Sequence, residues 1–226
     1  MKLSFSGLDT PIEILPGEIT TLEIANQELF GRICSSLKEG KGREALEPYT
    51  CWEAEMEISP KNALLFIDSP LVLPWDSKPI MGAVIKRLTM SMLENEELRS
   101  RIDRSASDVM TAFLSLGMTM HTEYSFNIQW DIQKFIHTFG FGVEHTDDQS
   151  IFENCIDFIS LALDANVKQC IVFVNLKSFL TKSAMQKFAN HVFFSKIPVL
   201  LLEQSEDLES YIHEQKRAID LDFIEY

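Results

Sequence analysis

Two unbroken apolar runs, Cys170–Asn175 (CIVFVN) and Pro198–Leu202 (PVLLL), stand about thirty residues apart, with one helix-patterned stretch, Thr181–Lys196, between them. A strand that is apolar at consecutive positions buries both of its faces, the habit of a parallel sheet. Strand, helix, strand at this spacing is a crossover unit in such a sheet. Ser150–Leu163 reads as an amphipathic helix ahead of it, and Ala63–Ile67 is a further buried strand, closed by Asp68 and Ser69-Pro70. The chain is therefore expected to be an α/β protein. Its 226 residues, 46% hydrophobic and 24% charged, can supply a real core.

Around this motif the chain reads as a discontinuous domain with an insertion. Leu3–Phe5, Pro11–Leu15 and Ile19–Ile24 are short strand-like runs, with Pro16-Gly17 marking a turn, and Asn26–Lys38 is helix-like. After Asp76 and Ser77, which can cap a helix, and Pro79 in the first turn, Ile80, Val84, Leu88 and Met92 recur every four residues. The pattern resumes from Leu98 through Leu116 to Gly117. One long helix or two nearly continuous ones are expected; a continuous one would span roughly 60 Å and would project from a compact core. Asn127–Thr138 is expected to pair back along it. The expected division is 1–75 with 141–226 as the α/β domain and 76–140 as the helical domain. Phe223-Ile224 suggests a closing edge strand.

The net charge of −14 repels nucleic acid and anionic membrane on average, but it is unevenly spread. Residues 165–196 hold five lysines (Lys168, Lys177, Lys182, Lys187 and Lys196) and no acid. Residues 78–104 hold six bases, Lys78, Lys86, Arg87, Arg99, Arg101 and Arg104, against four acids. Two basic islands on an acidic chain suggest a local anion-binding surface that grips phosphate backbone without reading sequence. Lys86, Arg87, Arg99, Arg101, Arg104, Lys177, Lys182 and Lys187 are the candidate phosphate contacts.

No catalytic motif is legible. A G-x-x-x-x-G-K-[ST] phosphate loop is absent, and Gly40-Lys41-Gly42-Arg43 lacks its spacing and hydroxyl. Asp68, at the end of an apolar strand, resembles a magnesium-holding aspartate, yet without a phosphate loop it reads as a strand-end cap or turn former. The five histidines are never at metal-pair spacing, and Cys34, Cys51, Cys155 and Cys170 form no C-x-x-C pair, so reduced core thiols are expected. The opening residues alternate like a strand and no apolar run approaches about 18 residues, so neither a signal peptide nor a membrane helix is expected and a cytoplasmic location is.

Several segments resemble one family. They are Leu3–Ile12 (LSFSGLDTPI), Asp68 followed by Asp76-Ser77 and the helix carrying Lys86, Leu98–Arg104 (LRSRIDR), Ser150–Cys155 (SIFENC), Ile171–Asn175 (IVFVN), Phe179–Lys182 (FLTK) and Val199–Glu203 (VLLLE). In this order they resemble the type II-A CRISPR-associated Csn2 family. That resemblance implies a P-loop-ATPase-like α/β head without a phosphate loop and an inserted long-helix leg. It further implies a non-enzymatic homotetrameric ring that binds double-stranded DNA ends and supports spacer acquisition in antiviral defence. The implied partners are the CRISPR integrase subunits and the effector nuclease, and the implied ion is calcium. Where the family carries a dense acidic run, Gly117–Ser125 here offers only Glu123 as a carboxylate. Calcium takes six to eight oxygens, usually with several carboxylates, and that weakens the calcium expectation.

Two other readings stand beside this one. A metal-dependent nuclease or NTPase would use Asp68, and a protein-interaction scaffold would use its lysines only for solubility.

Overall fold

In the computed structural model, which describes residues 1–126, 129–144, 148–222 and 224, the apolar runs become strands of a five-stranded sheet. Its order is β6 (Leu64–Ile67), β7 (Cys170–Val174), β8 (Val199–Glu203), β3 (Ile19–Ile24), β9 (Glu214–Ile219), and every neighbouring pair is parallel. Alternate side chains point to opposite faces. Cys170, Val172, Leu200, Leu202, Leu22 and Ile24 join a core with Leu29, Ile33 and Leu37 of α1 (Gln27–Glu39). That core also includes Leu3, Phe5, Tyr49 and Cys51 of a small antiparallel sheet, β2-β1-β4-β5 (Ile12–Glu13, Lys2–Phe5, Tyr49–Glu53 and Met56–Ile58). A one-turn helix, α2 (Pro60–Ala63), leads into β6.

On the opposite face Phe173 meets Phe188 edge to face, with centroids 6.0 Å apart. Phe188 belongs to the buried stripe Met185, Phe188, Ala189, Val192 of α7 (Lys182–Ser195). Beside it α6 (Ile151–Asp164) buries Cys155, Phe158, Ile159, Leu161 and Ala162. Both helices begin where their side chains predict. Thr181 accepts the Ala184 N–H, and Ser150 and Glu153 form a reciprocal capping box. Cys51, Cys155 and Cys170 are buried free thiols and Cys34 is half-buried. Burial pushes the Cys51 and Cys155 thiols up to about 12, far from the reactive thiolate range.

Contacts divide the chain into Met1–Trp75 with Glu144–Tyr226 as one unit and Asp76–Val143 as the other. The second unit holds α3 (Lys78–Glu94), α4 (Glu96–Gly117) and α5 (Ile132–Thr138). The long apolar repeat is not one rod. Asn95 adopts extended backbone (φ −108°, ψ 95°), ending α3, and its side chain accepts the Leu98 N–H at 3.0 Å to start α4. The stretch expected at Asn127–Thr138 is shorter than predicted. Its helix begins at Ile132, where Asp131 accepts the Gln133 and Lys134 N–H groups, and Asn127 lies outside the described residues.

Ile12–Glu13 and Ile19–Ile24, on either side of the Pro16-Gly17 turn, enter different sheets. The turn between them holds Gly17 at φ +80°, where a Cβ would come within 3.0 Å of the Phe193 carbonyl oxygen. The edge beside β3 is formed by β9, not by Phe223-Ile224: Ile224 is not in a strand, and Phe223 lies outside the described residues.

Candidate nucleic-acid interface

The helical unit carries five of the candidate cations, all exposed: Lys86 and Arg87 on α3, and Arg99, Arg101 and Arg104 on α4. Helical spacing sorts them. Arg101 and Arg104 are three residues apart and share a face, whereas Arg99, two residues before Arg101, points elsewhere. Arg99 is also engaged, with Nε 3.7 Å from the Asp103 carboxylate in an exposed pair. Among the described residues no carboxylate lies within 4.0 Å of Lys86, Arg101 or Arg104. These three cations therefore keep their full charge available to an anion.

In the α/β unit the three candidate lysines have separate environments. Lys187 is exposed on α7 and borders a groove of about 320 Å³ with Gln149, Glu153, Asp157 and His191. His191 Nε2 lies 3.3 Å from Ser160 Oγ. Burial lowers the His191 pKa, with the Asp157 charge acting in the opposite direction, so the imidazole is neutral near pH 7. Lys182 is exposed but paired with Glu209.

Lys177 is in a different setting: its ammonium lies 2.7 Å from Glu214, 3.3 Å from Glu23 and 3.5 Å from Asp207, and 5.6 Å from the centre of the Tyr211 ring. Burial alone would lower its pKa. The hydrogen bond and charge of Glu214, and then Glu23, more than offset that, so the Lys177 pKa is raised and the side chain stays protonated. With three carboxylates around it, Lys177 has no charge to spare for phosphate. The structure thus groups Arg101 with Arg104 and takes Lys177 out of the exposed set.

This cluster was not foreseen from the sequence. Glu23, next to last in β3, and Glu203, at the end of β8, are cross-strand neighbours. Glu203 accepts the Lys177 N–H at 3.0 Å, and Lys216 lies 3.3 Å from Glu23. Burial, aided by the charges of Glu23 and Glu214, pushes the Glu203 carboxyl up to about 7 despite its backbone hydrogen bond. The available signal was weak: one glutamate in the last two positions of each of two otherwise uncharged strands.

Asp68 follows β6 at the far edge of the sheet, with β7 and β8 between it and β3. It is paired with Lys38 at 2.5 Å. The β3–α1 connection, where a phosphate loop would sit in a nucleotide-binding sheet, is only Ala25-Asn26, and Asn26 spends its side chain capping the Leu29 N–H. Glu123 is exposed after α4, and among the described residues no group of three or more His, Cys, Asp or Glu side chains is placed to hold a metal. That donor set does not fit calcium, which needs several oxygens at once.

The family model of the CRISPR-associated protein Csn2 matches residues 50–222. The CRISPR-associated protein Csn2 of Streptococcus agalactiae is 25% identical over 217 residues, covering 94% of both chains. That of Enterococcus faecalis is 21% identical over 207 residues, covering 90% of both. The crystal structure of Stu0660 of Streptococcus thermophilus shares the fold, with a TM-score of 0.52 at 15% identity over 89% of this chain and 68% of that one. No helix among the described residues is long and apolar enough to cross a membrane.

Proposed function

The chain belongs to the Csn2 family of CRISPR-associated proteins, and from that premise we propose that it binds double-stranded DNA ends without reading their sequence. In this reading it acts without catalysis, as a homotetrameric ring in the cytoplasm, and supports spacer acquisition alongside the integrase subunits and the effector nuclease. Asp76–Val143 serves as the leg of each subunit and the remainder as its head. The observation that carries the reading is the unpaired set Lys86, Arg101 and Arg104, exposed on a protein of net charge −14. Cations left without carboxylate partners among the described residues of so acidic a chain are matched to an anion from outside. Phosphate is the polyanion they suit, because each contact releases a condensed counterion. Lys187 and Lys182 supply secondary contacts, the latter by exchanging Glu209 for phosphate, since an exposed pair is worth only about 0–1 kcal/mol.

The test is a gel shift on linear and covalently closed circular DNA across a salt series, with the mass measured by light scattering. Binding should weaken steeply with salt and favour the linear form, and the mass should be near four times 25.9 kDa. Equal affinity for both forms, or a strict monomer, would refute it. The nuclease or NTPase reading gains nothing from Asp68, which is paired with Lys38 at the sheet edge.

A further inference from the structure

On the helical unit, Leu98, Ile102 and Val109 of α4 form one wall of a groove of about 440 Å³, and Trp130 and Phe135 form the other. That volume falls within the roughly 300–1,000 Å³ of small-molecule sites. Arg101 is the one charged residue in the lining, and no carboxylate among the described residues is within 4.0 Å of it. The Trp130 and Phe135 ring centroids are 5.1 Å apart, and those of Phe135 and Phe139 are 4.5 Å apart. The aromatic series runs outward, from Trp130, 37% exposed, to Phe139, 73% exposed.

An apolar groove alone would accept any greasy side chain. This one combines the mutually tilted rings of Trp130 and Phe135 with a single guanidinium that no carboxylate among the described residues compensates, in an otherwise uncharged lining. The ligand that answers both has a π face for the rings and an anionic group beside it for the arginine, the chemistry of one nucleotide. In a closed duplex every base is stacked on both sides and has no face to give; only the terminal pair has a free face.

We infer that the groove lined by Trp130 and Phe135 captures the terminal base of a duplex end, with Arg101 on its phosphate. The inference rests on the reading of the protein as a binder of duplex ends. It adds a reason for end preference, since lysine and arginine contacts to phosphate are the same along the whole duplex.

The experiment uses the full chain and a short blunt duplex with 2-aminopurine either at the terminal position or at the centre. The terminal probe should change fluorescence on binding and the central probe should not. Trp130→Phe should keep the signal. Trp130→Ala should lose it, with affinity for the blunt duplex about tenfold lower, within what one base–aromatic stack supplies. Circular dichroism confirms that each variant is folded. Equal responses from the two probes, or a terminal signal that survives Trp130→Ala, would overturn the inference. So would a change in oligomer mass in Trp130→Ala with the terminal signal intact, since the groove would then seat another copy of the chain. Wild-type binding without any terminal signal defeats this inference alone, whereas no binding to linear duplex defeats the reading beneath it.

Discussion

The Lys177 ammonium lies 2.7 Å from the Glu214 carboxylate, and both side chains are nearly withdrawn from water, at 9% and 0% exposure. Because Thr21 Oγ1 donates to the same Glu214 oxygen at 2.6 Å, the pair ties β3, β9 and the segment after β7 together. Removing one partner of a buried pair leaves the other charge uncompensated, at a cost of about 3–5 kcal/mol. Lys177→Ala should therefore lower the urea midpoint strongly, while Lys187→Ala, on an exposed face, should leave it nearly unchanged. A Lys177→Ala protein with wild-type stability would show that the cluster does not hold the sheet.

Glu203 gives the stability a pH dependence of known sign. Its folded pKa is raised to about 7 from an ordinary 4.5. Between those values the folded state holds a proton that the unfolded chain has released, so stability falls as pH rises through this window, by at most about 1.4 kcal/mol per unit. Above pH 7 the carboxylate is ionised in both states and the loss is complete. Glu203→Gln keeps an oxygen for the Lys177 N–H but cannot ionise. Urea denaturation at pH 5, 6, 7 and 8 should show the variant gaining on the wild type as pH rises. A constant difference across the series would mean that Glu203 titrates normally.

The parts of the fold that the sequence made legible are those where one physical requirement dominates. CIVFV and VLLLE have to be buried on both faces, so they read as inner strands, and Ser150 with Glu153 three residues on marks a helix start. By contrast, β9 (EQKRAI) is an edge strand, whose polar residues carry no apolar signature. Asn95 stops one helix and caps the next in the short gap in the repeat between Met92 and Leu98, and periodicity that resumes beyond the gap cannot distinguish two helices from a continuous one. At the candidate site, exposure on α3 and α4 follows from helical phase. Lys177 did not: a lysine among acid-free neighbours in sequence looks free, and its acids arrive from positions 23, 207 and 214 only through folding.

The capping box at the start of α6 supplies a local prediction. Ser150 Oγ accepts the Glu153 N–H at 3.2 Å while Glu153 accepts the Ser150 N–H at 2.8 Å. Ser150→Ala leaves the Glu153 N–H without its partner and should cost about 1 kcal/mol. In urea denaturation the slope should stay constant and the midpoint fall. An unchanged midpoint would mean that solvent replaces the cap at no cost.

Arg101 and Arg104 should dominate DNA affinity, because they are exposed, on one face of α4 and without a carboxylate partner among the described residues, whereas Lys177 is enclosed by carboxylates. Removing one phosphate-binding cation should reduce the slope of log affinity against log salt by about 0.9. Arg101→Ala with Arg104→Ala should therefore flatten the slope by nearly 2 for each subunit that contacts the duplex through both arginines, and weaken binding to all sequences alike, since phosphate contacts do not read bases. Arg99→Ala should change the slope less, its side chain pointing elsewhere and engaged with Asp103. Fluorescence anisotropy on duplexes of different sequence, titrated at several salt concentrations, measures each slope. If Arg99→Ala lowers the slope as much as the double variant does, the duplex lies against a different face of α4.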